Sequence, residues 1–300
     1  MRAFAPFRRF LSRWALVRPR SAPGIAYVPV MLLPDSVSEA LEANGAFIEP
    51  YAELAKGWHE HALSFAPDYG SYARFLIEDG QINSDSALDV ACGTGITTLA
   101  LAPLFRVVRG LDASEAMLTQ ARRHLGHLAN VELVRGDFRT FKAEQGFDLV
   151  TCSGDSLNYA ANPAELASAF CCVARALTGG GIFVFDLQSP ASVSRRFVVR
   201  VAGAGWTWYQ VFAFDRATGV DDDVVVTAAG IEPHRRRIFT PDEVATAAAA
   251  AGLVAADRLD RGLLRYLSRA GGRDFYALKR AAPVNVMDVL RPRASGTDAA

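Results

Sequence analysis

The sequence predicts an α/β fold built on a doubly wound, mostly parallel seven-stranded sheet. Between residues 87 and 187, short apolar runs alternate with amphipathic helical segments, a pattern typical of parallel strands joined by helices. Apolar residues at helical spacing over residues 36–79 predict an amino-terminal helical lid. Between residues 206 and 239, β-like segments follow one another without helices, so an antiparallel insertion is expected after the fifth strand.

Each core element has a local signal. The five parallel strands are predicted over residues 87–91, 106–111, 131–134, 147–152 and 182–187. Helices are predicted over residues 97–104, 114–125 and 163–177. Ser114 is the expected N-cap for the second of these helices, and the glycines at 179–181 predict the end of the third.

The region after the fifth strand predicts an insertion over about residues 190–240. Its strand candidates cover residues 206–214, 223–227 and 235–239. A helix over 241–251 follows, with Thr240 as N-cap, Pro241 at the first helical position and Gly252 at the end. Two last strands, near 254–259 and 275–279, complete the sheet. The domain is therefore expected over residues 36–282, with residues 283–300 as a tail.

The first 35 residues differ from the rest of the chain. Six arginines precede the first acidic residue, Asp35. Apolar residues at helical spacing allow a basic amphipathic helix on a membrane surface, and the arginine-rich, acid-free start also resembles a transit peptide. Because Pro6 interrupts the apolar stripe, we expect a disordered extension over residues 1–35, with Met31 as an alternative start of the protein.

Composition and charge exclude several classes of function. Of the 300 residues, 51% are hydrophobic, and 32 Lys and Arg balance 32 Asp and Glu. A chain of this length buries most of its apolar surface without disulfides or metals. Its neutral balance gives no basic field for nucleic acid or membrane, so neither nucleic-acid binding nor stable membrane association is expected.

The cysteines predict a reducing compartment. They form no CxxC pair and no zinc-type spacing with histidine, and most lie in or beside apolar runs. Buried reduced thiols are therefore expected, which fits the cytoplasm, and no metal site is expected. The four residues are Cys92, Cys152, Cys171 and Cys172.

The strongest site signal is a glycine-rich turn after the first strand, Leu88-Asp-Val-Ala-Cys-Gly-Thr-Gly95. Glycines let the backbone approach a ligand closely, and parallel sheets bind ligands at the carboxyl ends of their strands. Thr98 stands where the dinucleotide fingerprint has its third glycine, and the Lys-Ser/Thr of a P-loop is missing. We therefore expect a ligand without pyrophosphate, and an NAD-linked oxidoreductase is disfavoured.

Two acidic residues follow at the next strand ends. Asp112 closes the second strand, where a carboxylate can accept hydrogen bonds from two ribose hydroxyls. Asp137 and Phe138 follow the third strand and suit the amine and the face of a base. Helix capping would explain either acid alone, but acids at successive strand ends favour a nucleotide site.

At these residues the chain resembles the class I S-adenosylmethionine-dependent methyltransferases, over roughly residues 45–281. The glycine segment from Asp89 resembles that family's first motif, and Leu111-Asp-Ala-Ser-Glu-Ala-Met resembles its ribose-binding loop. Gly136-Asp-Phe resembles its adenine loop, and Phe147-Asp-Leu-Val-Thr-Cys-Ser its fourth-strand motif. A departure is Ala91, where many members have glycine. The resemblance implies a Rossmann-like fold and S-adenosyl-L-methionine as cofactor.

The resemblance also implies roles for the matched positions. Gly93 and Gly95 should flank the methionine moiety, and Asp112 should bind the ribose. Met117 should pack on adenine, and Cys152 should place its backbone carbonyl near the cofactor amine. The expected cofactor-binding residues are Asp89, Cys92, Gly93, Thr94, Gly95, Asp112, Ala113, Met117, Asp137, Phe138, Cys152 and Ser153.

Residues for catalysis and for the acceptor are less specified. Methyl transfer depends mainly on positioning, although a phenol or alcohol acceptor also needs a base. The catalytic candidates are Tyr69 in the lid and His234 in the insertion; ordinary packing would explain either. The substrate-binding candidates, with the same alternative, are Trp58, Asp155, Asn158 and Trp208.

We therefore expect transfer of a methyl group from S-adenosylmethionine to a nitrogen or oxygen of a small-molecule acceptor. The Asn/Asp-Pro-Pro-Tyr/Phe motif of amino-methylating nucleic-acid enzymes is replaced at residues 153–158 by Ser-Gly-Asp-Ser-Leu-Asn. Because no catalytic base is unambiguous, the alternative is an S-adenosylmethionine-binding protein without transfer activity, acting as a regulatory or partner subunit.

Overall fold

A computed structural model describes residues 26–30, 47–188, 190, 197–256 and 273–281 of the chain. The helices among them are α1 (Ala55–Leu63), α2 (Tyr69–Glu78), α3 (Ile96–Leu101), α4 (Glu115–Leu125), α5 (Pro163–Ala176) and α6 (Pro241–Ala250). The strands are β1 (Ala26–Val30), β2 (Ser86–Val90), β3 (Val107–Asp112), β4 (Val131–Arg135), β5 (Phe147–Cys152), β6 (Leu177–Gln188), β7 (Phe197–Gly203), β8 (Trp206–Phe212), β9 (Phe214–Asp215), β10 (Val220–Thr227), β11 (Gly230–Arg237), β12 (Leu253–Ala255) and β13 (Arg273–Arg280).

The main sheet confirms the predicted fold class. Its seven strands are ordered β12-β13-β6-β5-β2-β3-β4. The pairs among β2 to β6 are parallel, whereas β13 runs antiparallel to β6 and to β12. The carboxyl ends of β2, β3, β4 and β5 therefore meet at one edge of the sheet, as a parallel arrangement requires.

Helices cover both faces of this sheet. In β6, Phe183 and Phe185 belong to the core beneath α5 and α6, while Ile182 and Val184 belong to the core beneath α2 and α3. Successive strand residues point to opposite faces, so a strand that is apolar at every position is buried on both sides. This explains why β6 reads as a continuous apolar run.

Local sequence signals set most helix ends. The Ser114 hydroxyl accepts a hydrogen bond from the Met117 N–H and caps α4, and Thr240 forms a reciprocal capping box with Glu243 at α6. One boundary differs from the prediction. The glycines at 179–181 lie inside β6, because the β5 register shifts from Leu177 to Ile182 and leaves the intervening residues as a bulge.

A second, antiparallel sheet lies in the region of the predicted insertion. Its order is β1-β7-β8-β10-β11, with β9 paired to β10. The prediction missed β7. It also placed Ala26–Val30 in a disordered extension, whereas the structure pairs this segment with β7 as strand β1. Residues 1–25, 31–46 and the tail from 282 lie outside the described residues.

Helix α1 packs between the second sheet and helix α4. Leu54 and Trp58 join the cluster that includes Val199, Trp208 and Val225 of the second sheet. The lid helix and the second sheet therefore form one layer beside the carboxyl ends of the parallel strands. Within the described ranges, no helix has the length and apolar character needed to cross a membrane.

Candidate active site

A cavity of about 600 Å³ lies at the carboxyl edge of the parallel strands. One end is walled by the loops that follow β2, β3, β4 and β5, and the other by the turn at Tyr51 and by helix α1. The two ends differ in chemistry. The strand loops supply acids, amides and glycines, whereas the lid supplies mostly aromatic and proline side chains.

The glycine loop has backbone conformations that its sequence makes accessible. Gly93 and Gly95 have φ angles of 56° and 87°, which glycine adopts without steric cost. A Cβ on Gly95 would also lie 2.5 Å from the Leu125 Cδ1 atom, so a side chain there would collide with α4. Ala91 has a φ of 54°, so the residue that departs from the family pattern occupies the conformation that favours glycine, at a cost of about 1–2 kcal/mol.

Asp112 lies on the cavity wall and organises the loops around it. Its carboxylate accepts hydrogen bonds from the Gly93 N–H at 2.7 Å and from the Ser114 N–H at 2.8 Å. Burial raises the pKa of Asp112, and these backbone donors oppose the rise. A carboxylate has about four lone-pair sites, so two remain for the ribose hydroxyls that the sequence predicts.

Asp89 supports the glycine loop from behind. It is completely buried, and it accepts hydrogen bonds from the Thr98 and Thr151 hydroxyls at 2.7 and 2.8 Å. Burial raises its pKa to about 6 although both hydroxyls favour the ionised form. Asp89 does not line the cavity, and its hydrogen bonds place it as a support of the glycine loop.

The loop that follows β4, on the cofactor side of the cavity, contains an arginine that the sequence analysis did not identify. Arg139 donates to Asp137 through Nε and Nη2, at 2.9 and 2.6 Å, and to Glu165 through Nη1 at 2.8 Å. Its guanidinium also lies 5.5 Å from the centre of the Phe138 ring. These hydrogen bonds hold the pKa of Asp137 below its usual value. The position of this arginine, two residues after the predicted acid Asp137, was the sequence signal that could have identified the pair.

Most other predicted cofactor residues also line the cavity. They are Cys92, Gly93, Thr94, Ala113, Met117, Phe138 and Ser153. Gly95 and Cys152 lie outside the lining. Burial raises the pKa of the Cys152 thiol well above its usual range, which favours the neutral thiol over the thiolate.

The lid end of the cavity is aromatic. Trp58, a predicted substrate residue, lines it together with Tyr51, Phe65 and Tyr159. The Trp58 ring lies 5.9 Å from the Tyr51 ring and 6.1 Å from the Phe65 ring, edge to face in both cases. Such a wall excludes water and orients an acceptor.

Both catalytic candidates lie outside the lining. Tyr69 is buried, and its hydroxyl donates to Asp186 at 2.6 Å. His234 is also buried, and its Nδ1 atom lies 2.8 Å from the hydroxyl of Tyr159, which does line the cavity. Neither side chain is therefore placed for direct contact with an acceptor. His234 is connected to the cavity wall through its one hydrogen bond to Tyr159.

Two predicted substrate residues have structural partners instead. The Asn158 side chain donates to the Arg237 carbonyl at 2.7 Å and accepts from the Gln188 N–H at 2.8 Å. Trp208 is buried and stacks on Trp206 with ring centres 4.4 Å apart. Because the Trp208 face depends on how the second sheet packs on α1, sequence alternation alone could not decide it.

Asp155, the remaining substrate candidate, links the two sheets. Its carboxylate pairs with Arg236 of β11 at 2.8 Å and with Arg273 of β13 at 3.0 Å. Arg273 also pairs with the buried Asp186 at 3.0 Å, and Arg236 pairs with the buried carboxylates of β10. Asp155 has a φ of 53°, so a non-glycine residue takes a left-handed conformation where the charges meet.

Comparison with known proteins agrees with this geometry. Residues 87–181 match the family model described as Methyltransferase domain. The chain is 34% identical to the dTDP-3-amino-3,6-dideoxy-alpha-D-glucopyranose N,N-dimethyltransferase of Streptomyces fradiae, over 66% of this chain and 78% of that protein. It is 30% identical to the ubiquinone biosynthesis O-methyltransferase of Saccharophagus degradans, over 58% of this chain and 78% of that protein.

A solved structure shows the same architecture. It is the S-adenosylmethionine-bound amino pentose methyltransferase from Micromonospora echinaspora, 27% identical with a TM-score of 0.53. The superposition covers 83% of this chain and 98% of that chain. The likeness therefore extends well beyond the glycine loop and the strands that flank it.

Proposed function

The chain belongs to the class I S-adenosylmethionine-dependent methyltransferases, and from this premise we propose that it methylates a nitrogen or oxygen of a small-molecule acceptor that binds at the aromatic end of the cavity. The observation that carries the proposal is the division of one cavity into two ends. The strand loops suit the cofactor, and the lid leaves an apolar pocket beside them.

The residues of the strand-loop end fit S-adenosylmethionine. The free lone pairs of Asp112 suit the ribose hydroxyls, and Met117 and Phe138 give apolar surface for adenine. The glycine loop leaves open space at the position where a Gly93 Cβ would lie. When bound, S-adenosylmethionine supplies a sulfonium methyl group, whose C–S bond breaks as the acceptor atom forms its bond to carbon.

The amine is the acceptor class that we favour. The Streptomyces relative is named for dimethylation of an amino sugar nucleotide, and the Micromonospora protein is named an amino pentose methyltransferase. The lid end also suits a compact ring-shaped acceptor, since Tyr51, Trp58 and Phe65 form its wall. Holding an acceptor in line supplies up to about 7–11 kcal/mol of the barrier reduction.

The test is transfer of labelled methyl from S-adenosylmethionine to a panel of amino sugar nucleotides, aliphatic amines, aminophenols and phenols. We expect a singly or doubly methylated amine, identified by mass spectrometry. Trp58→Ala should raise the acceptor KM and leave cofactor affinity unchanged. Binding of the cofactor without turnover on any class, or in a metabolite extract, would favour the alternative of a partner subunit.

We also propose that this chemistry takes place in the cytoplasm without nucleic acid or stable membrane attachment. Support comes from the neutral balance of charge and from four cysteines that are all free thiols, three of them buried. Fractionation of the native host, with detection of the protein and of bound nucleic acid, would test each part.

A further inference from the structure

A chain of three side chains runs from the acceptor end of the cavity into the second sheet. The Tyr51 hydroxyl lies 2.7 Å from the Tyr159 hydroxyl, which lies 2.8 Å from His234 Nδ1. Both tyrosines line the cavity, whereas His234 is buried on β11. These distances allow a continuous hydrogen-bonded path.

Glu232 fixes the direction of this path. Its Oε2 atom lies 3.5 Å from His234 Nε2 without forming a hydrogen bond, and that nitrogen has no hydrogen-bond partner among the described residues. A carboxylate attracts a protonated nitrogen and repels an unprotonated one, so the proton of the neutral imidazole is favoured on Nε2. His234 Nδ1 is then an acceptor and receives the Tyr159 proton.

The donor and acceptor roles at His234 also determine the roles of the two tyrosines nearer to the cavity. Because Tyr159 donates its single proton to His234, its oxygen accepts the proton of Tyr51. The Tyr51 oxygen therefore keeps its lone pairs for a donor in the cavity. A protonated amine or a hydroxyl of an acceptor is such a donor.

The two phenols cannot serve as bases by themselves. Burial is the main cause that raises the pKa of Tyr51 and of Tyr159 well above the ordinary phenol value. Each phenol is thus neutral and can pass a proton only if it gives its own away. The imidazole of His234 is the group on the path that can hold the proton.

Glu232 also holds Tyr51 in place. Its carboxylate accepts the backbone N–H groups of Tyr51, Glu53 and Leu54 at 2.8, 2.5 and 2.9 Å. Tyr51 has a φ of 68°, a conformation that is strained for a non-glycine residue and persists where its surroundings enforce it. The carboxylate beside the imidazole thus also fixes the tyrosine at the other end.

We propose that Tyr51, Tyr159 and His234 form a proton relay that removes a proton from the bound acceptor before methyl transfer. The acceptor nitrogen gives its proton to the Tyr51 oxygen, the Tyr51 proton moves to Tyr159, and the Tyr159 proton moves to His234 Nδ1. The nitrogen keeps the electron pair with which it attacks, and the imidazolium lies beside Glu232. The proposal rests on the proposed function, and it makes Tyr51 a catalytic residue and His234 a positioning residue that acts through Tyr159.

Several charged groups surround the imidazole. Asp223 is its cross-strand partner on β10 and is paired with Arg236. A second carboxylate, Asp155, is paired with the same arginine. Arg236 is therefore shared by these two carboxylates, and Glu232 is the acid that lies 3.5 Å from the imidazole.

The first test needs no acceptor. The full chain, labelled with ¹⁵N-histidine and bound to S-adenosylhomocysteine, is studied by NMR. We expect His234 as the Nε2–H tautomer, with Nδ1 shifted as a hydrogen-bond acceptor, and loss of that shift in Tyr159→Phe. A protonated Nδ1 in the neutral imidazole would reverse the path and overturn the proposal.

The second test uses turnover of the amine that the acceptor panel identifies. General acid–base catalysis contributes typically about 10²–10⁴-fold, so Tyr159→Phe should lower kcat on the order of a hundredfold near neutral pH, with the KM for S-adenosylmethionine unchanged. His234→Asn keeps an oxygen that accepts from Tyr159 but cannot take up a proton. It should lower kcat about as much as Tyr159→Phe does, although the hydrogen bond from Tyr159 is retained.

Tyr209→Phe is the matched control, because Tyr209 lies on β8 outside the cavity lining. It should keep the wild-type rate and pH profile. An unchanged kcat and pH profile in both relay variants, with an active wild type, would refute the relay and leave the proposed function intact. A wild type that binds the cofactor without turnover would refute the proposed function, and the NMR result would still decide the direction of the path.

Discussion

Replacement of Asp89 by asparagine should change the pH dependence of folding stability in a defined direction. Asp89 is completely buried in β2, where burial raises its pKa to about 6 despite two hydroxyl donors. In the unfolded chain an aspartate titrates near about 3.9. Because the pKa is higher in the fold, the wild type has the full contribution of the protonated carboxyl below about pH 4 and loses it as the pH rises through about 6.

The size of the effect follows from the same two values. One unit of pKa difference between the folded and the unfolded chain corresponds to about 1.36 kcal/mol. Ionised Asp89 therefore costs the fold about 3 kcal/mol above pH 6. The asparagine side chain of the variant has no such titration. The free energy of unfolding of Asp89→Asn minus that of the wild type should therefore increase by about 3 kcal/mol between about pH 4 and 6 and stay constant above that.

Urea unfolding of both proteins across this pH range measures the difference. A useful companion is Thr98→Val, which removes a donor at 2.7 Å from the carboxylate and should raise the pKa of Asp89 further, so that the otherwise wild-type chain loses more stability as the pH rises. A difference between Asp89→Asn and wild type that does not vary with pH would show that the hydroxyl donors offset burial, and the reasoning would be refuted.

Three further predictions concern the cofactor, the link between the sheets, and the lid. Asp112→Ala should weaken S-adenosylmethionine binding by about ten- to a hundredfold, since hydrogen bonds to a charged group contribute about 1.5–3 kcal/mol; equal affinities by calorimetry would contradict the ribose assignment. Arg273→Met leaves the buried Asp186 and the partly buried Asp155 without this partner and should destabilise the fold by about 3–5 kcal/mol, with a loss below about 1 kcal/mol in urea unfolding counting against a structural link. Burial lowers the pKa of His61 to about 4, so protonation of His61 should cost the fold up to about 3 kcal/mol as the pH drops from about 6.5 to 4; the free energy of unfolding of His61→Phe minus that of the wild type should rise by that amount over this range, and a difference that does not vary with pH would disprove it.

The parallel core was predictable because its signals are local. Each strand from β2 to β6 is a short apolar run, and the strand-end rule brought Asp112 and Asp137 to one cavity from different parts of the chain. Ser114 and Thr240 also cap their helices as predicted. In these cases the residue and its immediate neighbours contain the whole physical cause.

The missed features depend on partners that are distant in sequence. Strand β1 is defined by its pairing with β7, and nothing in Ala26–Val30 itself indicates that partner. The orientation of Trp208 and the distance of His234 from the cavity depend on how the second sheet packs against α1 and the Tyr159 turn. Alternation along a strand identifies two faces, but it does not say which of them a distant element will cover.

The long sequence separation between β1 and its partner strand has a consequence for synthesis of the protein on the ribosome. Its partner strand β7 follows it in the chain, with Ala26 pairing to Ala202. At about 5–20 residues per second, about 175 residues take roughly 10–35 s to translate. Throughout that time β1 has no native strand to pair with, and unpaired strands invite association between nascent chains. Pro29 lacks an N–H group and so cannot complete a hydrogen-bonded ladder with a foreign strand. The proline of this edge strand therefore removes one donor from any ladder that a foreign strand could form with β1 before β7 emerges.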